Sequence, residues 1–260
     1  MALKKSDKET KLSKPTKASN HLIGTLSEKS LHAALKDWYK RPEDRLEEVV
    51  DGFHIDIVRR KLLIEIQTVN FSSIKSKLNA LIKKHRIQLV FPIAQEKWIV
   101  RLAADGITQL GRRKSPKKGN LIHLFEELVS IPRLIKNANF SLEILLIREE
   151  EIRRNDGRGS WRRKGWSIAD RRFLEVMSRR VFKTPSDFLT LISANLPEPF
   201  STQKLAEGIN QPRWLAQKMA YCLRRMGAIE AVGKKGNSIL YATSNTCISR
   251  SININTGNRN

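Results

Sequence analysis

Two strand-like runs separated by a short basic turn are the feature that most constrains how this chain folds. Residues 53–58 and 62–68 are rich in β-branched and apolar side chains. Arg60-Lys61 between them fits a two-residue hairpin loop. With that loop, Asp56 lies directly opposite Glu65 across the two strands. The sequence therefore predicts a hairpin that holds two acidic side chains at close range.

The two faces of this hairpin differ in chemistry, because strand side chains alternate. The polar face is expected to carry His54, Asp56, Glu65 and Gln67. The other face is expected to enter the core with Ile55, Ile57, Ile64 and Ile66. Like charges that face each other destabilise a sheet, so the two carboxylates need a proton, a basic neighbour or a metal cation. Hard divalent cations such as Mg²⁺ prefer carboxylate and water oxygens. The alternative is that both acids face solvent and pair with lysine or arginine.

A third acid lies on a helix that precedes the hairpin. Glu28 stands near the start of a stretch in which Leu31, Leu35 and Trp38 repeat at helical spacing. It therefore projects from the buried side of that helix. An acid that faces inward needs a reason, and proximity to Asp56 and Glu65 would supply one.

The chain has Glu28 on a helix, Asp56 within Ile-Asp-Ile, and then Glu65-Ile66-Gln67 followed by a helix and a strand. This arrangement resembles the PD-(D/E)xK nuclease superfamily, which has the restriction-endonuclease fold. The resemblance covers roughly residues 22–105. It implies that Asp56 and Glu65 bind Mg²⁺ or Mn²⁺, and that Glu28 is a supporting acid. It also implies a catalytic set of Glu28, Asp56, Glu65 and Gln67.

Two departures from the family pattern stand in this stretch. Gln67 occupies the position that usually holds a catalytic lysine, and the Pro-Asp pair of the family name is missing before Asp56. A cation for this site could come from the next helix, on which the candidates are Lys75, Lys77 and Lys84.

Charge composition points to a polyanionic partner. The 260 residues include 49 Lys and Arg against 26 Asp and Glu, a formal net charge of +23. A chain this basic is expected to bind nucleic acid or an anionic membrane surface. The sequence has neither a secretory signal nor a run of about 18 apolar residues that could span a membrane. We therefore expect a soluble cytoplasmic protein that binds DNA, without a membrane partner. RNA is the alternative to DNA as the polyanionic partner. A homodimer is also compatible with the sequence, because many nucleases that cut both strands of DNA act as dimers.

A basic segment over Gly111–Asn120 is interpreted as a loop, because it contains proline and glycine. Its cations are expected to contact DNA phosphates through Arg112, Arg113, Lys114, Lys117 and Lys118. The alternative is a solvated surface loop.

The C-terminal part has a different pattern. Helices are predicted over Trp166–Phe182, over residues 187–194, from a Ser201 cap to Ile209 and over Pro212–Met226, followed by a Gly-rich hairpin. This order resembles a winged helix-turn-helix. The resemblance implies major-groove contacts by Arg213, Trp214, Gln217 and Lys218, and wing contacts by Lys234 and Lys235. A winged helix that contacts proteins is the alternative.

The expected fold class is α/β. A mixed-sheet, nuclease-like domain occupies residues 21–150, and a mainly α winged-helix domain occupies residues 166–243. A basic tail (1–20), a charged linker (151–165) and a polar tail (244–260) complete the chain. Cys222 and Cys247 are too few for a disulfide framework or a four-thiolate zinc site.

Two functions follow from these observations. The first is a DNA-binding, metal-dependent phosphodiesterase. The second is a catalytically inactive DNA-binding protein or regulator that uses the nuclease fold as a scaffold, which Gln67 in place of lysine favours.

Overall fold

A computed structural model of the protein describes residues 29–244. The chain forms an α/β fold with one large mixed sheet, followed by helices and a two-stranded sheet near its C-terminal end. Within this range, no helix has the length and apolar character that a membrane crossing requires. The basic tail, Glu28, Cys247 and nearly all of the polar tail lie outside the described residues.

The first part of the fold runs from a helix through three strands to a second helix and a fourth strand. Their bounds are α1 Lys29–Tyr39, β1 Arg45–Val50, β2 Phe53–Arg59, β3 Leu62–Ile66, α2 Lys75–Leu81 and β4 Arg86–Leu102. Neighbouring strands are antiparallel from β1 to β3, whereas β3 and β4 are parallel. The predicted hairpin register is confirmed, since Arg59 pairs with Leu62 and Ile57 pairs with Ile64.

The rest of the chain completes the sheet and adds the C-terminal helices. These elements are β5 Gln109–Lys114, α3 Phe125–Leu128, β6 Phe140–Asn155, β7 Trp166–Phe182, α4 Pro185–Leu189, α5 Thr202–Gly208, α6 Arg213–Met226, β8 Ile229–Lys235 and β9 Ser238–Thr243. Short 3-10 turns lie at Phe71–Ile74, Leu121–Leu124, Leu134–Lys136 and Trp161–Arg163. The large sheet has the order β1-β2-β3-β4-β6-β7, with β5 beside the end of β4.

Three long strands extend the sheet well beyond β3. The pairing of β3 with β4 ends at Val90, but β4 and β6 continue in parallel to the pair Leu102 and Arg154. We call this extension, residues 96–114 and 148–175, the arm. Its strand order is β5-β4-β6-β7.

Apolar side chains cover both faces of the main sheet. Ile57, Ile64 and Ile66 pack beneath α1 with Leu31 and Leu35. Ile55, which was expected to share their face, belongs instead to the core beside α2 and α3. The pairing of β2 with β3 ends at Ile57 and Ile64, so β3 does not hold the alternation at Ile55. Trp38, also expected inward, is 44% exposed and contacts Phe173.

The predicted helix over Trp166–Phe182 is wrong, because this segment is strand β7. It pairs with β6 along nearly its whole length. Three register shifts in that pairing interrupt the two-residue alternation by which a strand is recognised in a sequence. Extended pairing with β6 therefore outweighs the helical pattern of its apolar side chains.

The expected charged linker, 151–165, is also wrong. Residues 151–155 continue β6, and a turn then joins β6 to β7. Glu149, Glu150 and Glu151 are buried. Each is neutralised by cations, so a charge run that resembles a solvated linker is in fact a central strand.

Other boundaries shift in the same direction, towards strand. The basic segment over Gly111–Asn120 begins inside β5, so Arg112, Arg113 and Lys114 are strand residues rather than loop residues. Strand β4 continues through an irregularity after Ala94. Helices α2 and α3 are short, and a 3-10 turn precedes each of them.

The C-terminal helices follow their sequence signals closely. Ser201 caps α5 by accepting a hydrogen bond from the backbone N of Lys204, and α6 ends at Gly227 with a φ of 81°. The predicted apolar stripe of α6 is buried and consists of Leu215, Met219, Cys222, Leu223 and Met226.

Leu35 lies fully buried between α1 and the sheet, so its truncation tests this packing. We expect Leu35→Ala to lower the free energy of unfolding by about 2–5 kcal/mol, because it leaves a cavity. Leu46→Ala, at a 42% exposed position of β1, is the matched control and should cost less than about 1 kcal/mol. Urea unfolding measures both, and equal losses would contradict this packing.

Candidate functional site

The hairpin brings two carboxylates together at the end of β2 and β3, and we call Asp56 and Glu65 the acidic pair. The β2–β3 pairing ends at Ile57 and Ile64, the residues next to Asp56 and Glu65, and the charge of Asp56 is close enough to act on Glu65. Asp56 Oδ2 accepts a hydrogen bond of 2.8 Å from the backbone N of Ile66. Glu65 is only 8% exposed. The sheet therefore holds an acid on each strand in a sheltered position.

A histidine that the sequence analysis missed joins this pair. His32 Nε2 of α1 lies 3.1 Å from Asp56 Oδ2. The hydrogen bond to Asp56 raises the pKa of His32, although burial opposes this rise. The signal available in the sequence was spacing, because His32 follows Glu28 by four residues and such residues share one side of a helix. Glu28 itself lies outside the described residues.

Lys77 is the lysine that reaches the acidic pair. Its Nζ lies 2.6 Å from Glu65 Oε2 and also donates to the backbone O of His54. Of the other two candidates, Lys84 pairs with Asp51 and Lys75 is exposed. One cation from α2 thus bridges β2 and β3 beside the carboxylates.

The two acids ionise differently. Burial, together with the charge of Asp56, raises the pKa of Glu65 to about 7, although Lys77 opposes the shift. Burial also opposes ionisation of Asp56, but hydrogen bonds from His32 and the Ile66 amide hold its pKa below the usual value. A pair of acids whose pKa values are pushed apart in this way is typical of sites that bind cations or transfer protons.

The acidic pair fits a divalent cation. Glu65 Oε2 is buried and its contact with Lys77 lacks hydrogen-bond geometry, so this oxygen retains capacity for a ligand. Two carboxylates suffice for Mg²⁺, which keeps several waters and substrate oxygens. Between residues 29 and 244, no group of three or more His, Cys, Asp or Glu side chains is arranged to hold a metal.

Gln67 does not point into this site. Its amide nitrogen donates to the backbone O atoms of Val69 and Asn70, in the turn before α2. His54 is exposed, and its backbone O rather than its ring contacts Lys77. Gln67 therefore secures a turn in the structure, whereas Lys77 provides the positive charge.

The five cations predicted to contact DNA near residues 111–120 fall into two groups. Arg112 pairs with Glu150 at 2.7 Å, and Lys114 pairs with Glu96 at 2.8 Å. Both also lie over the ring of Trp98. All five side chains are exposed, so the ion pairs of Arg112 and Lys114, not burial, distinguish them from Arg113, Lys117 and Lys118.

The residues of α6 and the β8–β9 hairpin that were predicted to contact DNA also differ in their surroundings. Arg213 and Gln217 line a cleft between α6 and β9, and Trp214 is 48% exposed. Lys218 turns the other way, because its Nζ lies 3.4 Å from the backbone O of Glu126. The end of the β8–β9 hairpin carries the exposed side chains of Lys234 and Lys235.

The fold and site define an α/β protein with a sheltered acidic pair on a mixed sheet. A family model described as a domain of unknown function (DUF8091) matches residues 29–183, from the start of α1 to the end of β7, and the chain belongs to this family. A relative described as an uncharacterized protein, from Treponema pallidum (strain Nichols), is 30% identical over 223 residues. The alignment covers 84% of this chain and 86% of the relative. No solved structure matches the chain.

The raised pKa of Glu65 makes stability depend on pH in a defined direction. Between about pH 4.5 and pH 7 the folded state binds more protons at this carboxyl than the unfolded state does. The free energy of unfolding therefore falls as the pH rises through this window. Glu65→Gln cannot titrate, so relative to wild type it should gain about 2–3 kcal/mol across the window.

Urea unfolding with EDTA, at the two ends of this pH window, measures the gain. Glu230→Gln, on the exposed strand β8, is the matched control and should show no pH-dependent difference. A Glu65→Gln profile parallel to that of wild type would mean that folding does not raise the pKa of Glu65.

Proposed function

We propose that this protein is a DNA-binding, metal-dependent phosphodiesterase. The observation that carries the proposal is the acidic pair on adjacent strands, with one carboxyl ionised, the other at a pKa of about 7, and a lysine 2.6 Å from it. Carboxylates that converge beside a cation suit a reaction at a phosphate, where negative charge must be neutralised.

The order of elements supports this proposal. The chain runs α1, β1, β2, β3, α2 and β4, with Asp56 on β2 and Glu65 on β3. This is the order of elements on which the resemblance to the PD-(D/E)xK nucleases rests. Parallel pairing of β3 with β4 around α2 brings Lys77 over the end of β3. Lys77 thereby substitutes for the lysine missing at position 67.

Each residue has a defined role in this proposal. Asp56 and Glu65 would hold a divalent cation, which supplies charge neutralisation at the phosphate and an activated water. His32 keeps Asp56 oriented and ionised through the 3.1 Å contact. Lys77 supplies positive charge beside Glu65 for a phosphate oxygen.

The C-terminal elements support DNA as the substrate. Helices α4, α5 and α6 followed by the β8–β9 hairpin have the order of a winged helix. Helix α4 overlaps the helix expected over residues 187–194, whereas the helix expected over Trp166–Phe182 is strand β7. Arg213 at the start of α6 and the lysines of the hairpin present positive charge on this part of the surface. Arg213, Gln217, Lys234 and Lys235 remain candidates for DNA contact.

A second function is favoured by one observation. Gln67 replaces the usual lysine, and its amide is engaged in the turn before α2. This favours a DNA-binding regulator that uses the nuclease fold as a scaffold. Mg²⁺ or Mn²⁺ would then leave the melting temperature unchanged, whereas a bound cation raises it by mass action.

Cleavage of supercoiled plasmid with Mg²⁺ or Mn²⁺ tests the first function. Asp56→Ala and Glu65→Ala should abolish cutting, while DNA affinity measured by filter binding is largely retained. Lys77→Met should reduce the rate by about 100-fold, because electrostatic stabilisation of a reacting oxygen is typically worth that much.

Lys75→Met is the matched control for Lys77→Met, since it removes an exposed lysine of the same helix. It should cut at the wild-type rate. Normal cutting by Asp56→Ala would disprove the assignment of the site. Absence of cutting by wild type, together with a melting temperature that Mg²⁺ does not change, would favour the scaffold function.

Affinity for duplex DNA tests the C-terminal contacts separately. Lys234→Gln combined with Lys235→Gln should weaken binding of a duplex oligonucleotide, and the slope of log affinity against log salt should fall by about 0.9 per lost phosphate contact. Lys204→Gln, an exposed lysine already paired with Glu207, is the control and should leave the slope unchanged. An unchanged slope in the double variant would exclude these lysines from the interface.

A further inference from the structure

The end of the arm presents an exposed tryptophan. Residues 156–165 connect β6 to β7 and form what we call the tip loop. Within it, the side chain of Trp161 is 83% exposed. Such a ring offers a large, flat apolar surface to a partner.

The tip loop is tightly folded. The backbone N of Gly159 donates to the O of Gly165, and Ser160 and Trp161 accept the next two backbone hydrogen bonds. A Cβ at Gly159 would come within 2.0 Å of the backbone O of Trp166, so only glycine fits this position. The loop thus holds the Trp161 ring outward on a fixed support, which lowers the entropy that binding would cost.

Positive charge surrounds the ring. Arg158, Arg162 and Lys164 are exposed, and no acidic residue occurs between Gly157 and Gly165. The guanidinium of Arg162 lies 5.4 Å from the centre of the Trp161 ring. An aromatic platform flanked by cations is the arrangement that binds a nucleobase by stacking and its phosphates by charge.

We propose that the tip loop is a binding site for single-stranded nucleic acid, with the Trp161 ring stacked on an unpaired base and the flanking cations on its phosphates. The site is separate from the acidic pair. Glu65 pairs with Leu89 of β4, and the strand then rises about 3.3 Å per residue to Leu102, a distance of about 40 Å. The inference therefore does not depend on whether the acidic pair cuts DNA.

The distance between the acidic pair and the tip loop can be compared with the dimensions of DNA. About 40 Å is a little more than one turn of B-form DNA, which measures roughly 35 Å. A polynucleotide held at the acidic pair could therefore reach the tip loop with an unpaired segment one turn away. The same loop could also hold a single strand that does not touch the acidic pair.

A membrane surface fits these observations less well. Insertion into a bilayer needs a broad apolar area, but the other residues of the tip loop are polar, charged or glycine. Apolar residues of the arm that could extend such an area are Leu110, which is 60% exposed, and Ile107, which lies at the turn between β4 and β5 and is 82% exposed. Substitution of Ile107 therefore distinguishes a membrane from a nucleic acid, because base stacking needs Trp161 alone.

Fluorescence anisotropy with labelled oligothymidylate and oligouridylate tests the proposal in the full-length protein. Trp161→Ala should weaken binding of at least one of them about tenfold or more, because stacking on an aromatic ring contributes strongly per base. Trp161→Phe should recover part of the loss. The oligonucleotide that responds identifies DNA or RNA as the source of the strand. Ile107→Ala, equally exposed, is the matched control and should bind as wild type does.

Melting temperatures establish that each variant is folded, which the exposure of Trp161 favours. Oligonucleotide affinities equal to wild type in Trp161→Ala would overturn the proposal. So would a result in which Trp161→Ala and Ile107→Ala both lose binding to phosphatidylglycerol vesicles but keep oligonucleotide binding. Cleavage of supercoiled plasmid by the wild-type protein is measured separately, so failure of this site and failure of the phosphodiesterase are separate results.

Discussion

The parallel pairing of β4 with β6 is the interaction on which the rest of this structure depends. It runs from Ile87 and Phe140 to Leu102 and Arg154. Strands β3, β5 and β7 pair directly with one of these two, and β1 and β2 join the sheet through β3. The first half receives β3 and therefore fixes the acidic pair. The second half forms the arm and carries the tip loop. One continuous ladder thus sets the geometry of two distant surfaces.

The acidic pair depends on three separate supports. The two-residue turn between β2 and β3 sets the register, α1 contributes His32, and α2 contributes Lys77. Burial of a carboxyl without full compensation has a free-energy cost, which the raised pKa of Glu65 reflects. Folded proteins keep such destabilising groups mainly at functional sites. The support from both flanking helices is therefore the strongest structural argument that this pair serves a function.

Sequence patterns predicted the local features and missed those that depend on distant partners. The hairpin register followed from the turn length, and the start and end of α5 and α6 followed from Ser201 and Gly227. Strand β7 was missed because register shifts against β6 interrupt its alternation. His32 was missed because its role comes from Asp56, on another element.

The three consecutive glutamates of β6 have a consequence for the electric field around the protein. Glu149, Glu150 and Glu151 neutralise cations that would otherwise project from the strands of the arm, among them Lys97 and Arg171. Along β6 and β7, the positive charge left uncompensated lies at the tip loop, where Arg158, Arg162 and Lys164 are exposed. The attraction that the arm exerts on an approaching polyanion is therefore strongest at its end, which would orient the polyanion before contact along the arm.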